Sequence, residues 1–105
     1  MTEQGAAGPP RVRAGQLVTS RAGRDAGRAY LVVGVRPDGR VLVADGRYRK
    51  VANAKPKNVR HLWLHDRVAA AVAERLERGE PVSDAEVRRA LQELLGEAAA
   101  AGEKG

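Results

Sequence analysis

Residues 15–35 have the sequence GQLVTSRAGRDAGRAYLVVGV, and this stretch decides the fold. Two short, mainly apolar runs, 17–20 and 29–35, stand on either side of a loop that contains two glycines. β-branched and aromatic residues favour strands, and glycine adopts the backbone angles that a tight loop requires. The stretch therefore predicts two strands joined by residues 21–28, which we call the glycine loop.

Further short apolar runs follow, separated by turn residues. Residues 40–44 (RVLVA) and 48–51 (YRKV) predict a third and a fourth strand, and residues 59–62 (VRHL) predict a short last strand. The sequences PDG at 37–39 and DG at 45–46 are typical of hairpin turns. Strands this short and this closely spaced predict an antiparallel meander that curls into a small β-barrel.

The spacing of apolar residues becomes helical beyond residue 63. A Gly at 79 and a Pro at 81 separate two predicted helices. Ser83 and Glu86 have the spacing of a capping box at the start of the second helix, and Gly96 is its predicted C-cap. The predicted apolar positions of the two helices are Leu64, Val68, Val72, Leu76, Val87, Leu91, Leu94 and Leu95.

These patterns divide the chain into four parts. We expect flexible tails at residues 1–13 and 97–105, a β-barrel at 14–63 and a helical hairpin at 64–96. The predicted fold class is mainly β with an α-helical tail. Because a barrel of about fifty residues has a small core, we expect the apolar faces of the helices to bury each other or the open side of the barrel.

The composition excludes several kinds of site. The chain has 105 residues, 43% of them hydrophobic and 30% charged, as expected for one folded domain. It has no cysteine, which excludes disulfides, thiolate metal sites and a cysteine nucleophile. No apolar run approaches the length of a membrane span, and residues 1–10 lack the hydrophobic stretch of a signal peptide. We therefore expect a cytoplasmic protein.

The positive charge is concentrated in the first two thirds of the chain. Residues 11–67 contain fourteen Arg and Lys and four Asp, whereas residues 68–105 contain five basic and eight acidic residues. A positive field over one part of a protein favours a polyanion, because neutralising its phosphates releases condensed counterions. A general abundance of Arg is the alternative, but it would have spread Arg over both parts.

Two basic groups are the candidate binding residues. The glycine loop contributes Arg21, Arg24 and Arg28, and residues 47–60, which we call the basic segment, contribute Arg47, Arg49, Lys50, Lys55, Lys57 and Arg60. Arginine presents a planar fork of donors to phosphate oxygens and guanine edges. We expect both groups to lie at one end of the barrel and form one electropositive face. The alternative is a set of solvated surface charges.

The sequence indicates no catalytic, metal or cofactor site. His61 and His65 have a spacing that suits a metal on a helix, but no third ligand is evident. We expect Trp63 to seal the barrel against the helices, with stacking on a base as the alternative. The acidic residues Asp25, Asp38, Asp45 and Asp66 are interpreted as turn formers, and no hydroxyl lies beside an activating base. We therefore expect a protein that is not an enzyme.

Residues 15–62 resemble a known family. Four blocks carry the resemblance, namely GRDAGR at 23–28, VLVADG at 41–46, RKV at 49–51 and NVRHL at 58–62. Residues 15–35 look like the KOW motif, with Gly27 as its characteristic glycine, and the whole stretch is similar to the large-subunit ribosomal protein L-fourteen-e family and its bacterial KOW relatives. The resemblance implies an SH3-like barrel that grips ribosomal RNA through its loops. It implies that role for Arg24, Arg28, Arg49, Lys50, Lys57 and Arg60.

Charge and resemblance together predict an RNA-binding protein associated with ribosomal RNA and the translation machinery. A-form RNA is recognised mainly through its backbone and its 2′-hydroxyl groups, so we expect contacts with phosphates. The alternative is a protein–protein adaptor of the transcription or translation machinery, in which the barrel and the helical tail contact ribosomal or transcription proteins.

Overall fold

The computed structural model describes the backbone of residues 12–104 and the side chains of residues 12–96. The five strands are β1 Gln16–Ser20, β2 Ala29–Val35, β3 Val41–Ala44, β4 Lys55–Lys57 and β5 Leu62–Val68. Two helices follow, α1 Ala70–Glu77 and α2 Asp84–Lys104. Short 3₁₀ helices at Val51–Asn53 and Val59–His61 flank β4. A β domain followed by a helical tail is thus confirmed.

All five strands pair antiparallel in one sheet, in the order β4-β3-β2-β1-β5. The register places Val18 of β1 beside Tyr30 of β2 on one side and Leu64 of β5 on the other. The first strand is therefore an interior strand, and β5 pairs with its free side as the edge of the sheet. This connection brings the end of the basic segment beside the end of β1.

The middle of the sheet is buried on both faces, which explains why β2 and β3 are nearly continuous apolar runs. One face packs on the helices through Leu17 and Leu31, which share a core with Val87 of α2. The other face forms a second core of aliphatic residues with Tyr30, which contains Val18, Tyr30, Val32, Val41, Val43 and Leu62. Adjacent strand residues point to opposite faces, so Leu17 and Val18 belong to different cores.

The first three predicted strands are confirmed within a residue, but the fourth is wrong. Residues 48–50 form a turn, and Val51–Asn53 is a 3₁₀ helix. The strand lies later, at Lys55–Lys57, and includes Pro56. β4 is an edge strand, and such a strand accepts proline because the missing N–H need not meet a neighbour.

The predicted helical hairpin at 64–96 is wrong at both ends. Leu64 and Val68 lie in β5, and the first helix begins at Ala70. A spacing of four is even, so it keeps two residues on one face of a strand as well as of a helix. The second helix continues past Gly96 to Lys104, so 97–104 is helical where a flexible tail was predicted. Residues 1–11 of the predicted first tail lie outside the described residues.

The predicted capping box is confirmed. The Glu86 amide donates to Ser83 Oγ at 3.1 Å, and the Ser83 amide donates to Glu86 Oε1 at 2.8 Å. Of the predicted apolar positions, Val72, Val87, Leu91 and Leu94 are buried, Leu64, Val68 and Leu76 are half-buried, and Leu95 is exposed. The helices therefore bury most of their apolar faces against each other and the sheet.

Candidate nucleic-acid interface

The glycine loop is closed at its base by backbone hydrogen bonds. The Ser20 amide donates to the Arg28 carbonyl at 2.9 Å, and the Gly27 amide donates to the Ser20 carbonyl at 2.7 Å. Gly27 has a φ of 91°, which side chains with a Cβ rarely adopt. The fixed base holds Arg21 and Arg28 at the two ends of the loop.

Asp25 ties this loop to three strands. Its Oδ1 accepts hydrogen bonds from Ser20 Oγ at 2.8 Å and from Lys57 Nζ at 3.0 Å. Its Oδ2 accepts a hydrogen bond from the Tyr30 hydroxyl at 2.7 Å and lies 3.5 Å from Lys55 Nζ. One carboxylate therefore connects the loop to β1, β2 and β4, and sequence reasoning had treated it only as a turn former.

This network shifts the pKa values of its members in opposite directions. Burial alone raises the pKa of Asp25, but the hydrogen bonds from Tyr30, Lys57 and Ser20 outweigh it and hold that pKa far below its ordinary value. Burial and the hydrogen bond to Asp25 raise the pKa of Tyr30 above its ordinary value. The loop is thus held by a carboxylate that stays ionised and a phenol that stays protonated at neutral pH.

An arginine at each end of the glycine loop stacks on an aromatic ring. The Arg21 guanidinium lies 4.2 Å from the centre of the Trp63 ring, and that of Arg28 lies 4.1 Å from the centre of the Tyr48 ring. Trp63 is 53% exposed and Tyr48 is 73% exposed. The surface at this loop therefore presents two cation–aromatic pairs to solvent.

The expectation that Trp63 seals the barrel is wrong. Trp63 lies on β5, where it pairs with Thr19 of β1. Its neighbours Leu62 and Leu64 point into the second core instead. Strand alternation therefore turns the indole outward. Sequence reasoning had assumed that an aromatic residue between two leucines is core, but in a strand the middle residue faces the other way.

The predicted binding residues fall into three groups by exposure. Exposed positions are Arg21, Arg24, Arg47, Lys50 and Arg60, half-buried positions are Arg28, Arg49 and Lys55, and Lys57 is buried. The Arg21 amide donates to the His61 carbonyl at 2.9 Å, which brings Arg60 near the loop. The Arg28–Tyr48 stack joins the loop to the residues beside Arg47. The loop and the basic segment thus meet, as the sequence predicts.

Lys57 does not belong with the other cations. Its side chain is 9% exposed, and its ammonium group donates to Ser20 Oγ at 2.9 Å as well as to Asp25. A buried charge that is already paired has no access to a phosphate. Its predicted role as a phosphate contact is therefore replaced by a structural one.

The turn at residues 45–50 is built around another aspartate. Asp45 Oδ1 accepts from the amides of Arg47 at 2.9 Å and Arg49 at 2.8 Å, so the predicted turn-forming role of Asp45 is confirmed. The Asp38 carboxylate accepts from the Arg40 amide in the same way. Asp66 is different, because it lies within β5 and not in a turn.

Helix α2 contacts this turn directly. The Val51 amide donates to Asp84 Oδ1 at 2.8 Å, and Arg88 Nη1 donates to the Gly46 carbonyl at 2.6 Å. Gly46 has a φ of 76°, and a Cβ there would lie 2.4 Å from the Asp84 carbonyl oxygen. The helix therefore requires glycine at this position. Sequence reasoning missed Arg88 because its distance of 42 residues from Gly46 leaves no local signal.

The histidines of the sequence do not form a metal site in the part of the chain that the structure describes. His65 Nε2 lies 2.8 Å from Thr19 Oγ1 in a side-chain hydrogen bond. Among the side chains of residues 12–96, no three His, Cys, Asp or Glu converge as a metal site. No helix within residues 12–104 combines the length and apolar character needed to cross a bilayer.

No protein-family model matches the chain, and a search of curated proteins finds no match.

Proposed function

We propose that this protein binds RNA through the surface formed by the glycine loop and the exposed part of the basic segment. The observation that carries the proposal is the pair of cation–aromatic stacks at the two ends of the loop, Arg21 on Trp63 and Arg28 on Tyr48. Exposed aromatic rings stack on unpaired bases, and arginine contributes both charge and a stacking plane.

The charge of this surface supports the same proposal. Arg24, Arg47, Lys50 and Arg60 are exposed, and each presents a cation near the loop or the turn. The one carboxylate in the loop, Asp25, is already paired with Lys57 and Lys55, so it opposes an anionic ligand only weakly. We infer that phosphate groups are the main contacts and that the aromatic rings add contacts with bases.

The architecture supports an SH3-like barrel as the scaffold of this function. β1 pairs with both β2 and the last strand, and a 3₁₀ helix stands directly before that last strand, as expected of such a barrel. The two-sided burial of the sheet agrees with strands that curl around the second core. Together with the KOW-like blocks, this favours ribosomal RNA as the partner and a cytoplasmic, non-catalytic role.

A pair of matched double variants tests the proposal. Arg21→Ala/Arg24→Ala removes two cations at the glycine loop, and Arg36→Ala/Arg40→Ala removes two from the hairpin at the other end of β2. Of these four arginines, Arg21 is the one that stacks on a ring. Arg24 and Arg40 are both exposed, so they are the closest match between the two variants. Binding to fragments of ribosomal RNA is measured by fluorescence anisotropy at physiological salt. We expect the loop variant to bind at least tenfold more weakly than the hairpin variant, and equal losses would contradict the proposal.

A further inference from the structure

A groove of about 370 Å³ lies between the turn at residues 45–50 and helix α2. Its walls include the cations Arg28, Arg47 and Arg88, the ring of Tyr48, and the apolar side chains of Leu91 and Leu95. This volume is at the lower end of the range of small-molecule sites, about 300–1,000 Å³. The groove makes helix α2 part of the same surface as the turn at residues 45–50.

We propose that this groove binds one unstacked nucleotide of the RNA, with its base against Tyr48 and Leu95 and its phosphate toward Arg47 and Arg88. The inference rests on the proposed function and deepens it, because it names an unpaired nucleotide as the element that the protein recognises. Bases within an A-form duplex are stacked and paired, so a bulge, a loop or a strand end would supply this nucleotide.

Tyr48 is the stacking platform. The Arg28 guanidinium lies 4.1 Å from the centre of its ring, yet the side chain is 73% exposed. A planar base that stacks on the ring would thus extend an existing stack of guanidinium and phenol. The arginine holds the ring in place before the base arrives, which lowers the ordering cost of binding.

Helix α2 supplies the apolar wall. Leu91 and Leu95 are one helical turn apart and both line the groove. Leu91 is 7% exposed, whereas Leu95 is 43% exposed, so Leu95 is the residue that a ligand would cover. An exposed leucine beside an exposed tyrosine favours a flat, partly apolar ligand over a bare inorganic anion.

The polar groups of the groove match a nucleotide more closely than a phosphate alone. Arg88 is fixed by its hydrogen bond to the Gly46 carbonyl, and Arg47 follows Asp45 in the turn. Asp45 also lines the groove, and because its Oδ1 already accepts from the Arg47 and Arg49 amides, its other carboxylate oxygen is the one that would accept from an exocyclic amino group or a ribose hydroxyl. A ligand with an anionic end for Arg47 and Arg88 and a ring that donates a hydrogen bond to Asp45 therefore suits the groove.

The test compares two labelled RNA hairpins that differ by one bulged adenosine. We expect the full-length protein to bind the bulged hairpin about 5- to 150-fold more tightly, the range for stacking one base on an aromatic side chain. Tyr48→Leu should abolish this preference, and Tyr48→Phe, which keeps the ring, should retain it. Leu95→Glu should also reduce the preference, because it places a negative charge where the nucleotide lies.

The outcomes separate this inference from the proposed function. Binding of both hairpins with equal affinity, or a preference that survives Tyr48→Leu, would overturn the nucleotide site and leave RNA binding by the loop intact. The absence of binding to either hairpin would overturn both. The melting temperature of each variant should stay the same, because the side chains of Tyr48 and Leu95 are exposed. A change in the ratio of affinities then reports binding and not loss of the fold.

Discussion

Asp25 and Lys57 form a buried ion pair between residues 32 positions apart, with Asp25 Oδ1 3.0 Å from Lys57 Nζ. The pair fixes the glycine loop against β4, so the exposed arginines of that loop project from a held backbone. A lysine that the sequence predicts to contact phosphate is instead part of the support beneath the binding surface.

Lys57→Ala should lower the free energy of unfolding by about 3–5 kcal/mol, because it removes the nearer, buried charge partner of Asp25 and leaves only the more exposed Lys55. Lys55→Ala is the matched control. The Lys55 side chain is 38% exposed and its ammonium group lies 3.5 Å from Asp25 Oδ2, so its loss should cost no more than about 1 kcal/mol. Urea unfolding measures both. A stable Lys57→Ala protein with weakened RNA binding would restore the phosphate role of Lys57.

The fourth strand shows where sequence reasoning fails for a physical reason. Residues 48–51 have strand-forming side chains, but the Asp45 carboxylate captures the amides of Arg47 and Arg49 and bends the chain there. The apolar runs and glycine turns of the first three strands predict them correctly to within a residue. A side chain that captures backbone donors is a local effect, and its outcome depends on the tertiary contacts around it.

The candidate site was predicted in part. Its basic residues are visible in the sequence because charge is counted directly, and the meeting of the loop with the basic segment follows from a meander. The roles of Asp25 and Arg88 were not visible, because their partners lie on other elements. The exposure of Trp63 was not predicted either, because residues 64–68 form a strand where a helix was expected, and this strand turns the indole outward.

The free energy of unfolding should fall in acid because Asp25 becomes protonated. Because its folded-state pKa lies below the ordinary value of 3.8, its ionisation stabilises the protein above about pH 4. That contribution is lost as the pH falls from the ordinary value through the lower folded-state value. Urea unfolding between pH 2 and 5 should therefore show a steeper loss in the natural protein than in Asp25→Asn. Equal slopes would contradict a role of the hydrogen bonds to Asp25 in stability. Asp38→Asn in the exposed hairpin is the control, and it should show the same slope as the natural protein.

Gly46→Ala should destabilise the protein more than Gly39→Ala. Both glycines have positive φ, 76° and 92°, so alanine is strained at either position, by about 1–2 kcal/mol. At Gly39 nothing lies within 4 Å of the added Cβ, whereas at Gly46 the Asp84 carbonyl oxygen would be 2.4 Å away. We expect a further loss of about 1–3 kcal/mol at Gly46. Equal losses in thermal unfolding would mean that α2 does not pack on this turn.

Ser83→Ala should lower the free energy of unfolding by about 1 kcal/mol, because it removes the hydroxyl that accepts from the Glu86 amide. RNA affinity should stay the same, since Ser83 is not among the residues of the binding surface. Ser83→Asp keeps an acceptor at the helix start and should retain most of the stability. A loss of RNA affinity without a loss of stability would assign Ser83 to binding instead of capping.

The salt dependence of RNA binding tests the central claim most directly. If about five cations of the loop and the basic segment pair with phosphates, log K against log salt concentration should have a slope of about −4. Arg24→Ala should make that slope shallower by about one unit without lowering the melting temperature, and Arg40→Ala should leave it unchanged. Equal effects of the two substitutions would mean only general electrostatic attraction. No measurable RNA affinity at physiological salt would contradict the account as a whole.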